Sequence, residues 1–114
     1  MMEQIETAVQ TVGDVAVISV EGDLTAFSHE PLEQSYRTSS SDHAKILISF
    51  REEDHINSAG IGVLIGLVME TRQKSQKMRF AHPSPHFRKI FDIVGLCRYV
   101  EIFASVEEAL VGFE

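Results

Sequence analysis

Residues 56–69 run for 14 positions without a charged side chain, I-N-S-A-G-I-G-V-L-I-G-L-V-M. A membrane span needs roughly 17–25 apolar residues, so this run is too short to cross a bilayer. Asn57 and Ser58 are helix N-cap types, and Ile61, Leu64, Ile65 and Val68 fall on one helical stripe. The other side is not polar either, because Val63 and Leu67 share it with Gly60, Gly62 and Gly66. A helix without a polar face is buried on both sides or meets a partner.

The flanking sequence supplies what such a helix can pack on. Residues 7–12 and 15–20 are Val- and Ile-rich runs around Gly13-Asp14, a strand–turn–strand pattern. Ser28 is placed to cap a helix with Pro31 in its first turn and Leu32, Ser35 and Tyr36 at helical spacing, ending in Ser39-Ser40-Ser41. Residues 44–50, A-K-I-L-I-S-F, predict a buried strand, and residues 78–81 another. His82-Pro83-Ser84-Pro85 ends one element and begins the next. Phe87, Ile90, Phe91 and Val94 then mark an amphipathic helix over 86–94, stopped by Gly95. A strand over 99–103 and a last helix through Leu110, opened by a Ser105-x-x-Glu108 capping box, complete the pattern. Strands alternating with helices after a hairpin give an α/β fold, a mixed sheet with helices packed on it.

The chain has 114 residues, too few for two well-filled cores, so a single domain over 1–114 is expected, with its core over about 7–110. Hydrophobic residues at 44% and charged residues at 24% are ordinary for a soluble globular protein. Cys97 is the one cysteine, which suits a reducing compartment. The first ten residues lack both the basic and the apolar parts of a secretory signal, so a cytoplasmic location without membrane insertion is expected.

Charge separates along the chain. Residues 1–69 hold 11 acids and 3 bases, residues 70–98 hold 2 acids and 7 bases, and residues 101–114 hold 4 acids. The net charge of −7 argues against nucleic-acid binding, which rests on clustered Lys and Arg. The basic stretch reads as a solvated face.

Catalytic constellations are missing from the pattern. His82 and His86 are four apart, but Pro83 and Pro85 break the continuous helix that would align them, so no metal site is expected. The other histidines, His29, His43 and His55, form no ligand spacing. Ser58 sits in I-N-S-A-G, not in the G-x-S-x-G of a nucleophile elbow, and no G-x-x-x-x-G-K-[ST] loop is present. Neither enzyme activity nor a cofactor is expected. A serine at a helix start is, however, where a phosphate meets free N–H groups and the positive helix end. Phosphorylation there would add about −1.5 to −2 charge beside a small, apolar surface. The plainer reading, an N-cap serine worth about 1 kcal/mol, is the one spacing alone favours.

Four segments taken together carry a resemblance: G-D-L-T at 22–25, I-N-S-A-G-I-G-V-L at 56–64, H-P-S-P-H-F-R-K-I-F-D-I-V-G-L at 82–96 and S-V-E-E-A-L at 105–110. In order and spacing they resemble the STAS domain, and within it the stand-alone bacterial anti-sigma factor antagonists. The resemblance implies a mixed sheet of about five strands with about four helices, mainly on one face. It also implies that Ser58 is a phosphoacceptor, with Asp23, Thr25, Asn57, Ala59, Gly60, Gly62, Val63 and Gly66 binding the partner. That partner would be an anti-sigma factor that is also a serine kinase. Its capture would release a sigma factor, its phosphorylation of Ser58 would end the complex, and a serine phosphatase would restore the binding form. A weak homodimer fits the family as well.

Four positions depart from the family pattern. Asn57 and Thr25 stand where Asp is usual, and Glu53 and His55 replace apolar and aromatic residues. The departures keep a second reading open, a STAS adaptor in a larger signalling or membrane-transport assembly that binds through the same helix without phosphorylation.

Overall fold

A computed structural model describes residues 5–113. The elements run β1 (Glu6–Val12), β2 (Val15–Glu21), α1 (His29–Ser40), β3 (Lys45–Ser49), α2 (Ser58–Gln73), β4 (Lys77–Ala81), α3 (Pro85–Val94), β5 (Glu101–Phe103) and α4 (Val106–Leu110). The five strands form one sheet in the order β1-β2-β3-β4-β5. The β1–β2 hairpin is antiparallel and closes at Val12↔Val15, with Gly13 at φ 61° supplying the left-handed turn conformation. The remaining pairs are parallel.

Strand alternation sorts the core into two layers. Ile46 and Ile48 of β3 and Met78 and Phe80 of β4 face a large cluster with Leu32 and Tyr36 of α1, Leu64 and Val68 of α2, and Phe87 and Phe91 of α3. Phe50, Phe80, Phe87 and Phe91 meet there with ring centroids 5.2–6.1 Å apart. Val15, Val17, Leu47 and Ala81 face the opposite way, onto Ala109 of α4 and Phe113. Three helices therefore cover one face and the short α4 covers the other. Arg79 joins α4 to the sheet: its guanidinium lies between the Phe103 and Phe113 rings, at 4.9 and 4.6 Å, and donates to the Ala109 and Val111 carbonyls.

Several expectations shift in detail. Asn57, not Ser58, caps α2: its Oδ1 accepts from the Gly60 N–H at 2.9 Å. The core stripe of α2 is Gly60, Leu64, Leu67, Val68 and Thr71, so Leu67 and Gly60 point inward while Ile65 faces solvent. The sequence pattern placed that stripe one step round the helix, because apolar residues on both sides leave its phase undefined. Residues 96–98 form a 3-10 turn and shorten β5 to three residues. Ser105 accepts from the Glu108 N–H, the first half of the anticipated capping box.

Candidate functional site

The β2–α1 and β3–α2 connections meet at one end of the sheet. Leu24 and Ile56 form an isolated parallel bridge: the Leu24 N–H donates to the His55 carbonyl at 2.9 Å, and the Asn57 N–H to the Leu24 carbonyl at 3.1 Å. The Asp23 carboxylate accepts from the His55 N–H at 2.8 Å. Asp23, Thr25, Asn57, Ser58 and Gly60, distant in sequence, are thereby set side by side.

Gly60 is what permits this approach. A Cβ there would overlap the Leu24 carbonyl oxygen and lie 2.6 Å from its carbon. The expectation that Gly60 serves a partner is therefore corrected: it is buried against its own chain. Gly62 and Gly66 are the contrast, exposed and with nothing within 4 Å of an added Cβ. Ser58, Ala59, Gly62, Ile65 and Gly66 make the solvent face of α2, and Val63 lies half-buried at its border. Phe27 stands nearby, 49% exposed, on a 3-10 turn that contacts α2.

Thr25 is used locally. Its hydroxyl accepts from the Phe27 N–H, while the Ser28 hydroxyl accepts from the Thr25 N–H, so Ser28 serves this turn and makes no side-chain cap on α1. Ser58, at the first helical position, is exposed and its hydroxyl has no hydrogen-bond partner among the described residues. The reading of Ser58 as an ordinary capping serine does not hold. The Ser58 and Ala59 N–H groups likewise meet no acceptor among the described residues, as expected for a helix start.

The loop before Ser58 is pinned by the last residue of the acidic run Glu52-Glu53-Asp54. Asp54 is 5% exposed; its carboxylate accepts from Arg51 through both oxygens, at 2.9 and 3.0 Å, and from the Gly22 N–H at 3.0 Å. Burial pushes this carboxyl up, and the Arg51 and Gly22 hydrogen bonds more than reverse the effect, leaving it below the ordinary carboxylate value. Stability from the lock is therefore complete above the ordinary carboxylate range and disappears as pH falls through the lower folded value. Asp54→Ala is expected to cost about 2 kcal/mol in urea denaturation at neutral pH, since it strands the Gly22 N–H and Arg51. Between about pH 5 and about pH 3 the Asp54→Asn variant should lose less stability than the parent chain.

Histidines border the same loop. His82 Nδ1 donates to the Phe50 carbonyl at 3.3 Å, His86 Nε2 to the Ile56 carbonyl at 3.4 Å, and the His55 and His86 rings lie 5.4 Å apart. Among the described residues no three metal-ligating side chains gather, and no helix is long and apolar enough to cross a membrane.

Comparison with known proteins places this geometry. The family model described as the STAS domain matches residues 6–109. The chain belongs to the STAS family. Among solved structures, this STAS domain is similar to an anti-sigma factor antagonist from Mycobacterium paratuberculosis, at 19% identity and TM-score 0.75, covering 96% of this chain and 93% of that one. It is also similar to SpoIIAA, described as a Bacillus cell fate determinant, in its phosphorylated form, at 23% identity and TM-score 0.69, covering 96% of this chain and all of that one. The anti-sigma factor antagonist SpoIIAA in its unphosphorylated form matches at 26% identity and TM-score 0.63, over 92% of this chain and 93% of that one. The five-stranded mixed sheet with four helices is the STAS fold of these neighbours.

Proposed function

We propose that this STAS domain is an anti-sigma factor antagonist whose α2 face binds an anti-sigma factor serine kinase and is switched by phosphorylation of Ser58. One observation carries the reading: Ser58 is exposed at the first position of a 16-residue helix, without a hydrogen-bond partner among the described residues, and it opens onto a small-residue solvent face. The likeness to SpoIIAA, an antagonist solved with and without phosphate, supports the role.

In this reading the unphosphorylated domain seats the partner on Ala59, Gly62, Val63 and Gly66, and a sigma factor is released. Asp23, Thr25 and Asn57 set the rim through the Leu24↔Ile56 bridge. The kinase moves the γ-phosphate of ATP to the Ser58 oxygen, leaving ADP, and the hydroxyl proton goes to solvent or to a base on the kinase. Phosphate at this point finds two free N–H groups and the helix dipole, so it is tolerated by the fold. The same charge, desolvated under a partner, is not tolerated by the complex. A serine phosphatase removes it. Ser58 is acceptor only, and the chain contributes no catalysis.

With the cognate kinase and ATP, the domain is expected to gain one phosphate by mass and Ser58→Ala none. Undiminished phosphate on Ser58→Ala overturns the assignment. Ser58→Asp should weaken partner binding about tenfold, less than phosphate does because a carboxylate carries less charge.

A second reading draws on the two positions where the family's Asp is absent. Thr25 and Asn57 both spend their side chains on helix-type caps, which an uncharged residue does as well as Asp. An adaptor binding through the same face without phosphate accords with this, and it requires that the kinase leave Ser58 unmodified.

A further inference from the structure

Six of the ten Lys and Arg side chains, Arg37, Lys45, Arg51, Lys74, Arg79 and Arg88, meet a carboxylate within 4.0 Å. In a chain with 17 acidic residues, a cation without a carboxylate is the exception. Among the described residues the exceptions are Arg72, Lys77, Lys89 and Arg98. Arg72, Lys77 and Arg98 line the same cleft, about 340 Å³ in volume.

The sheet creates this cleft. β5 begins pairing at Arg79↔Glu101, so Lys77 and Met78, which open β4, have no strand beside them on that edge. The end of α2 and residues 97–101 wall the gap. The Arg72 guanidinium lies over the half-exposed Tyr99 ring, 5.2 Å from its centroid. Glu101, the acid on the rim, faces Arg79 at 3.3 Å, and Arg79 is already committed to α4. Three like charges around one small space repel, and an anion between them reverses the sign of that interaction. Guanidinium forks match the paired oxygens of phosphate or carboxylate.

We propose that this cleft binds a small oxyanion with two or more negative charges, held by Arg72 and Arg98 with Lys77 completing the site. The volume suits a small molecule. From Ser58 to Arg72 the helix axis runs about 20 Å, so this ligand touches neither Ser58 nor the small-residue face. The site stands independently of the proposed phosphorylation.

The test is an NMR titration of the whole chain with pyrophosphate, and separately with citrate, at fixed ionic strength. Saturable shifts are expected in the amides of residues 71–79 and 97–101, with residues 57–66 nearly still at their N-terminal end. Lys77→Gln and Arg98→Gln should each weaken the tighter anion about tenfold, while Lys89→Gln, which removes the unpaired cation outside the cleft, leaves it unchanged. Tighter pyrophosphate marks a phosphoryl ligand and tighter citrate a carboxylate one. Failure to saturate with either, or an equal loss in Lys89→Gln, overturns the site. Lys77 is exposed and a glutamine there disturbs no packing, so this variant keeps the test decisive if Arg98→Gln unfolds.

Discussion

Gly60→Ala is expected to destabilise the domain by about 3 kcal/mol, the upper part of the range for overpacking, and to lower the melting temperature by about 10 °C. One methyl group suffices because the atom it meets is backbone: the Leu24 carbonyl carbon at 2.6 Å, with the Ile56 side chain at 3.0 Å. That carbonyl also accepts from the Asn57 N–H, so it cannot retreat without opening the bridge between the two connections. Gly62→Ala and Gly66→Ala meet nothing, and each should raise stability by about 0.5–1 kcal/mol through helix propensity. Chemical denaturation of the three variants separates an inward glycine from two outward ones; equal effects at all three would refute the packing argument.

Gly62→Trp should do the reverse. The indole projects from the solvent face of α2 into open space, so stability is expected to stay within about 1 kcal/mol of the parent. If α2 carries the proposed interface, affinity for the proposed anti-sigma factor partner is expected to fall about a hundredfold or more, because a bulky ring prevents close approach at the centre of that surface. Calorimetry with the purified partner reads this directly, and unchanged affinity would move the interface off this helix. Together the pair distinguishes loss of binding through unfolding from loss through occlusion.

Much of the fold was legible in local pattern. The Gly13-Asp14 turn, the His82-Pro83-Ser84-Pro85 break before α3, Gly95 at its end and its Phe87–Phe91 spacing are local signals, and the elements formed where they pointed, α3 starting one residue earlier than expected. α2 was legible as a helix but not in its orientation, since a segment apolar on every side carries no phase. Which glycine faces inward depends on Leu24, 36 residues away, and no spacing rule encodes that. The same holds for Asp54: E-E-D looks like a solvated run, and only the Gly22 N–H and Arg51 make its last member internal. Ser58 and Asn57 are both good caps, and the choice between them is a one-residue matter that decides whether the serine hydroxyl is spent or free. The three cations of the cleft fall within the basic stretch read as a solvated face; they lie on the end of α2, the start of β4 and the turn before β5, and only the fold brings them around one space.

In many α/β sheets a late strand must insert between two earlier ones. Here spatial order and chain order coincide from β1 to β5, so each strand added during synthesis finds its neighbour already exposed at the growing edge. The hairpin rests on the most local contacts, and β3, β4 and β5 each lie a single crossover further along the chain, so the loop to be closed for each added strand stays short. A nascent chain emerging from the ribosome can therefore assemble this sheet in the direction of translation, with no completed pairing to undo.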